Sequence, residues 1–168
     1  GYANDHPAVV KGLEAMANFC IEDEDSIVLQ SCISPVWDTA LALVAMQEAG
    51  VPTDHPALIK AAQWLLDLEV RRKGDWSIKS PDLEPGGWTF EFINDWYPDV
   101  DDSGFVIMSI KDIKVRDRKH KEQAIKRGIS WCLGMQSENG GWGAFDKDNT
   151  KHILNKIPFA DLEALIDP

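Results

Sequence analysis

The chain has 168 residues, 44% of them hydrophobic and 27% charged, with a formal net charge of −11. That is enough for a domain with a real core, and the sign of the charge argues against a nucleic-acid partner, which calls for a basic face. No stretch approaches the roughly 20 apolar residues of a membrane span. The three cysteines, Cys20, Cys32 and Cys132, have no paired metal spacing and suit a reducing compartment. The chain opens at Gly1 without Met and stops at Asp167-Pro168 with no helix ending, which reads as a piece of something longer.

Taken in order, Asp5-His6-Pro7 starts an amphipathic stretch that predicts a helix over 7–21, with Asp5 placed to cap it. Val36-Trp37-Asp38-Thr39 then leads into a run apolar on every side, which predicts a buried helix over 38–49. Asp54-His55-Pro56 repeats the first start and predicts a helix over 56–70. The connection 71–98 carries Pro81, Pro85, Gly86-Gly87 and Pro98; it is too long for a plain linker and is expected to line something. A second all-apolar helix is predicted over 102–113, in register with the first through Asp102-Ser103 against Asp38-Thr39. The last predicted helix, 121–135, repeats 56–70, with Trp131 falling on Trp64 and a Gly-x-Trp following each. Strand signals are weak. Buried and half-exposed helices that alternate are what two concentric rings require, so the expected fold is all-α, an α/α barrel or toroid with inner helices 38–49 and 102–113 and the other three outside.

Asp99-Val100-Asp101-Asp102 stands just before the second inner helix, behind the aromatic loop Trp88 to Tyr97. By the repeat, Asp102 could serve as a helix cap. Asp101 replaces Trp37, and Asp99 has no carboxylate counterpart, so these two exceed what the scaffold needs. A calcium loop counted from Asp99 would want glutamate at its twelfth position, where Ile110 stands; counted from Asp146 that position is Ile157. A phosphatase Asp-x-Asp should follow a hydrophobic strand, but Trp96-Tyr97-Pro98 precedes this one. A simple acidic turn remains open.

Asp99-Val100-Asp101-Asp102 resembles the Asp-x-Asp-Asp signature of class II terpene cyclases, and Gln136 to Trp142 has the Gln-x3-Gly-x-Trp form of their repeated motif. Ser34 to Thr39, Gly86 to Phe92 and Asp146 through Phe159 resemble further stretches in family order. The set is most similar to cyclases of the squalene–hopene type. Oxidosqualene cyclases typically carry Asp-Cys-Thr-Ala at the acid, so squalene rather than its epoxide is implied. The resemblance implies one part, residues 1–168, of an α/α-barrel catalytic domain in a longer two-domain isomerase, an intramolecular transferase that turns squalene into hopene and some hopanol.

It further implies Asp101 as the general acid, with Asp99 and Asp102 keeping it protonated, and Trp37, Phe90 and Phe145 on the substrate cavity wall. Some relatives carry Tyr where Phe145 stands. Neither metal nor organic cofactor is implied. A bacterial-type location on the cytoplasmic face of the cell membrane, held peripherally, and a homodimer are. His6, His55, His120 and His152 are read as structural or surface residues; the family's histidine partner for the acid is expected beyond residue 168, so the piece alone is expected to be inactive. A sister cyclase acting on another polyprene and a non-catalytic helical-repeat binding module are the competing readings.

Overall fold

His-Pro opens two of the helices, and in both the histidine, not the preceding aspartate, makes the cap. The Nδ1 atoms of His6 and His55 accept from Ala8 N and Ala57 N, each at 3.2 Å. The ring nitrogen lies one residue closer to the free N–H groups than Asp5 or Asp54, and proline at the first helical position needs no acceptor. The computed structural model describes residues 1–30, 32–92 and 94–149. Among them no helix is long and apolar enough to cross a membrane. The chain divides into two compact units, 1–33 and 34–168.

The first unit holds α1 (Pro7–Ala17) and an antiparallel ribbon of β1 (Cys20–Glu22) and β2 (Ile27–Leu29). The amphipathic pattern predicts α1 to residue 21, and the strand signals there are weak. The helix stops earlier because Asp23 Oδ1 accepts from Asp25 N and Ser26 N, both at 3.0 Å, and this turn folds Ile21 back against Val28.

The second unit contains α2 (Pro35–Glu48), α3 (Pro56–Asp67), a 3-10 turn (Asp75–Ile78), α4 (Val100–Ile110) and α5 (Arg118–Gly134). α4 is the central element and packs on α2, α3 and α5. Its Val106 and Ile110 join Val36, Ala40 and Leu43 of α2, Leu58, Ala62, Leu65 and Leu66 of α3, Trp88, and Ala124 of α5 in one core. A smaller cluster sets Trp76 edge-on to Trp131 at 5.8 Å, over Met135. Helices are thus the main regular structure of the described residues, and the short ribbon holds the two strands.

Two expectations about the inner helices need correction. α4 ends at Ile110 rather than at 113, and Lys121 from α5 donates to the freed carbonyls of Lys111 and Ile113 at 2.8 and 2.6 Å. Nor are these helices covered on all sides: Leu41, Met46 and Met108 are 37, 36 and 49% exposed. α4 packs on three helices and still leaves part of its apolar circumference open, so all-round burial does not hold among the described residues of this piece.

The connection 71–98 threads closely between helices. A Cβ on Gly86 would lie 2.8 Å from the backbone of Arg127, and one on Gly87 would lie 2.8 Å from Ser103 Oγ and from the Trp131 ring. Only glycine fits such an approach. Gly87 O accepts from Val70 N at 2.9 Å, and beside it Glu69 takes a two-point ion pair from Arg127 at 2.7 and 2.6 Å. The next residue, Trp88, is fully buried and ties three elements together. Its N donates to Ser103 Oγ at 2.8 Å, its Nε1 to Leu65 O at 2.7 Å, and its O accepts from Asp99 N at 2.8 Å.

Candidate active site

The three aspartates sit at the N-terminus of α4, held there by the Trp88 segment. Asp99, not Asp102, is the helix cap: its Oδ1 accepts from Asp101 N at 2.8 Å and Asp102 N at 3.2 Å. The repeat misled because both helices begin before its aligned pair, α2 at Pro35 and α4 at Val100, so that Asp38 and Asp102 both lie inside the first turn and not at the cap. The Asp99 backbone is held as well, its carbonyl accepting from Ser103 Oγ at 2.6 Å. Asp99 therefore does scaffold work, contrary to the expectation that it exceeds the scaffold's needs.

Asp102 is 1% exposed, and its Oδ1 has no partner among the described residues. Burial, and after it the charges of Asp99 and Asp101, push its pKa up to about 7. Asp99 is raised too, mainly by burial, although the N–H bonds it accepts oppose that rise. Asp101, in the same turn, is exposed. The cluster thus keeps two buried carboxyls reluctant to ionise within one turn of a reachable third.

A pH dependence follows. Asp102 binds its proton more tightly folded than unfolded, so its contribution to stability is fully present below about pH 4 and is lost as pH rises through about 7. The difference between 3.8 and about 7 corresponds to at most on the order of 4 kcal/mol. Urea midpoints should therefore fall between pH 4.5 and 7.5, and Asp102→Asn should flatten most of that fall. Equal slopes in both proteins would refute the buried, proton-holding carboxyl.

The ring residues expected on a cavity wall are not all brought together. Phe145 stands in a hollow of about 320 Å³ with Trp76, Ile78 and Tyr97, and is 42% exposed. The hollow reaches the acid motif through the backbone, because Ala144 O accepts from Val100 N at 2.9 Å. Trp37 lies instead on the first turn of α2, edge-on to Phe105 of α4 at 4.5 Å. Phe90, half-buried, follows Trp88 and Thr89 and does not line that hollow. Tyr97, which sequence reasoning did not single out, faces Phe145 there and donates its hydroxyl to Asp75 Oδ2 at 3.2 Å. Its place just before Pro98-Asp99 was the available signal.

The Gln–Trp motif acts locally: Gln136 Nε2 donates to Gly140 O and Trp142 Nε1 to Cys132 O, both at 2.7 Å. His152 and the Ile157-Pro158-Phe159 stretch lie outside the described residues.

The described residues thus present packed helices, a cluster of carboxyls reluctant to ionise and, joined to it through the backbone, a hollow lined in part by aromatic rings. The family model of the squalene–hopene cyclase C-terminal domain matches residues 33–168, and the chain belongs to that family. Squalene–hopene cyclase of Alicyclobacillus acidocaldarius is 46% identical over 97% of this chain and 26% of its own length. Dammaradiene synthase of Dryopteris crassirhizoma is 46% identical over the whole chain and 24% of its own, and the Zymomonas mobilis squalene–hopene cyclase 42% identical over the whole chain and 27% of its own. The chain thus spans about a quarter of the curated relatives it matches.

Proposed function

We propose that this chain is the acid-bearing part of a squalene–hopene cyclase, and that its alternating helices are part of an α/α toroid closed by the rest of a full-length, two-domain enzyme. The observation that carries the reading is the pair of buried carboxyls, Asp99 and Asp102, flanking Asp101 at the N-terminus of α4. In this reading Asp101 faces a chamber that the full-length protein builds, which the exposure of its side chain in this piece supports.

The chemistry then follows from the groups present. An unactivated alkene is a very weak base, so the donor must be a neutral carboxylic acid; a free aspartic acid is ionised at neutral pH. Asp99 and Asp102 resist the accumulation of a third negative charge and keep Asp101 protonated. Asp101 transfers its proton to the terminal double bond, whose π electrons form the new C–H bond and leave a tertiary cation. Each further double bond supplies an electron pair to that cation and forms a ring bond. Loss of a proton ends the sequence as hopene; capture of water, followed by loss of a proton from the bound water, ends it as hopanol.

One proton is gained at the first alkene and another is lost beside the last cation, so the path to hopene is a redox-neutral isomerisation that needs no electron carrier. Water admitted early would quench the cations, and aromatic faces such as Trp37, Phe90 and Phe145 stabilise them by ~0.5–2 kcal/mol where desolvated. A substrate that dissolves in bilayers supports the further proposal of peripheral membrane attachment; its placement on the cytoplasmic face and a homodimer rest on the family resemblance alone.

A second reading has its own support. A dammaradiene synthase is as similar to this chain as a squalene–hopene cyclase is, so another product, or another polyprene, is consistent with these residues. Incubating the full-length protein with squalene and analysing the organic extract separates them. Hopene with some hopanol is expected; unchanged squalene beside conversion of a different polyprene would reject the first reading.

A further inference from the structure

We propose that Lys79 is a positioning residue for the cyclisation, acting by locking the backbone that carries Phe145; this rests on the cyclase reading above. Phe145 is fastened on both sides. Before it, Ala144 O accepts from Val100 N at 2.9 Å, which ties the segment to the first residue of α4 and so to the acid motif. After it, Lys79 Nζ lies 2.8 Å from Asp146 Oδ2 and donates to Lys147 O at 2.7 Å. One ammonium thereby holds two consecutive residues.

The far end of the segment is held as well. Asp148, at φ 53°, is the described non-glycine residue with a left-handed backbone; its Oδ1 accepts from Glu138 N at 2.8 Å and its N donates to Ser137 Oγ at 3.0 Å. A conformation of that kind persists where its surroundings fix it, and such fixing is common at functional sites. Lys79 itself follows directly on the 3-10 turn that places Trp76 and Ile78 in the hollow facing Phe145 and Tyr97. The same lysine therefore sets both walls of that hollow relative to each other.

An ion pair as exposed as this one, 38% and 36% at its two side chains, contributes little to stability. Its consequence is the position of a ring. A ring moved by an ångström faces a different carbon of the growing cation, so proton loss or water capture occurs at an earlier stage.

The test uses the full-length enzyme with squalene, following products, kcat, KM and the thermal midpoint. Lys79→Met is expected to raise the share of incompletely cyclised products and lower kcat about tenfold, with KM and the thermal midpoint nearly unchanged; Lys79→Arg, which restores both contacts, is expected to recover the product ratio. A wild-type product ratio and rate in Lys79→Met would overturn the assignment. So would losses in both variants that simply track a lowered thermal midpoint, since that marks a structural role alone. If Lys79→Met does not fold, Asp146→Asn decides, with altered products supporting the latch and unaltered products refuting it. Failure of the wild-type enzyme to convert squalene would count against the cyclase reading instead.

Discussion

Asp101→Asn in the full-length enzyme is expected to abolish squalene conversion, by at least about 10³-fold, with helicity unchanged. The substitution is isosteric and removes only the transferable proton. Asp101 takes no part in capping through its side chain, that duty falling to Asp99, whose Oδ1 accepts from Asp101 N whatever side chain stands at 101. The loss should therefore appear in kcat and not in folding, read by product analysis beside circular dichroism. Unaltered turnover would remove Asp101 from the chemistry and point to Asp102, the carboxyl whose pKa is raised to about 7.

Trp88→Ala is expected to have the largest effect on stability, about 3–5 kcal/mol, because it empties a fully buried indole site in the main core. The indole links the end of α3 at Leu65 to a backbone that also holds Ser103 and Asp99, so the cavity would open directly behind the acid motif. Trp88→Phe separates volume from hydrogen bonding. It keeps most of the ring and loses the N–H to Leu65 O, a carbonyl that still accepts from Leu68 N at 3.1 Å, so about 1 kcal/mol is expected. Chemical denaturation of the two variants checks the order. A loss under about 1 kcal/mol for the alanine would contradict the anchoring role.

The helices were legible in the sequence because their starts are chemical events: Pro at the first turn of α1, α2 and α3, and a short acceptor just before each of α1, α3 and α4. Which group caps was not legible, since Asp5 and His6, or Asp99 and Asp102, are equally polar until the chain direction picks one. Their ends were harder still. α1 yields to a ribbon whose turn depends on the Asp23 side chain, and α4 stops where a lysine from another helix meets its carbonyls. The Gly86-Gly87 approach was visible only as a pattern; its cause, the passage against Arg127 and Trp131, lies in tertiary packing.

Of the site, the acid cluster was legible as an excess of carboxylates over what the repeat demands. The division of labour within it was not, because it turns on burial: Asp102 is enclosed and Asp101 open, although both stand in the same turn. Tyr97 and Lys79 carried no periodic signal. Their roles depend on contacts to Asp75 and Asp146 that only the folded chain brings within reach.

The most direct test is a crystal structure of the full-length enzyme with an unreactive squalene analogue bound. A carboxyl oxygen of Asp101 is expected within about 3.5 Å of the analogue's terminal carbon, in a chamber closed to water and walled by aromatic rings. An Asp101 carboxyl turned to bulk solvent, with the analogue elsewhere, would contradict it.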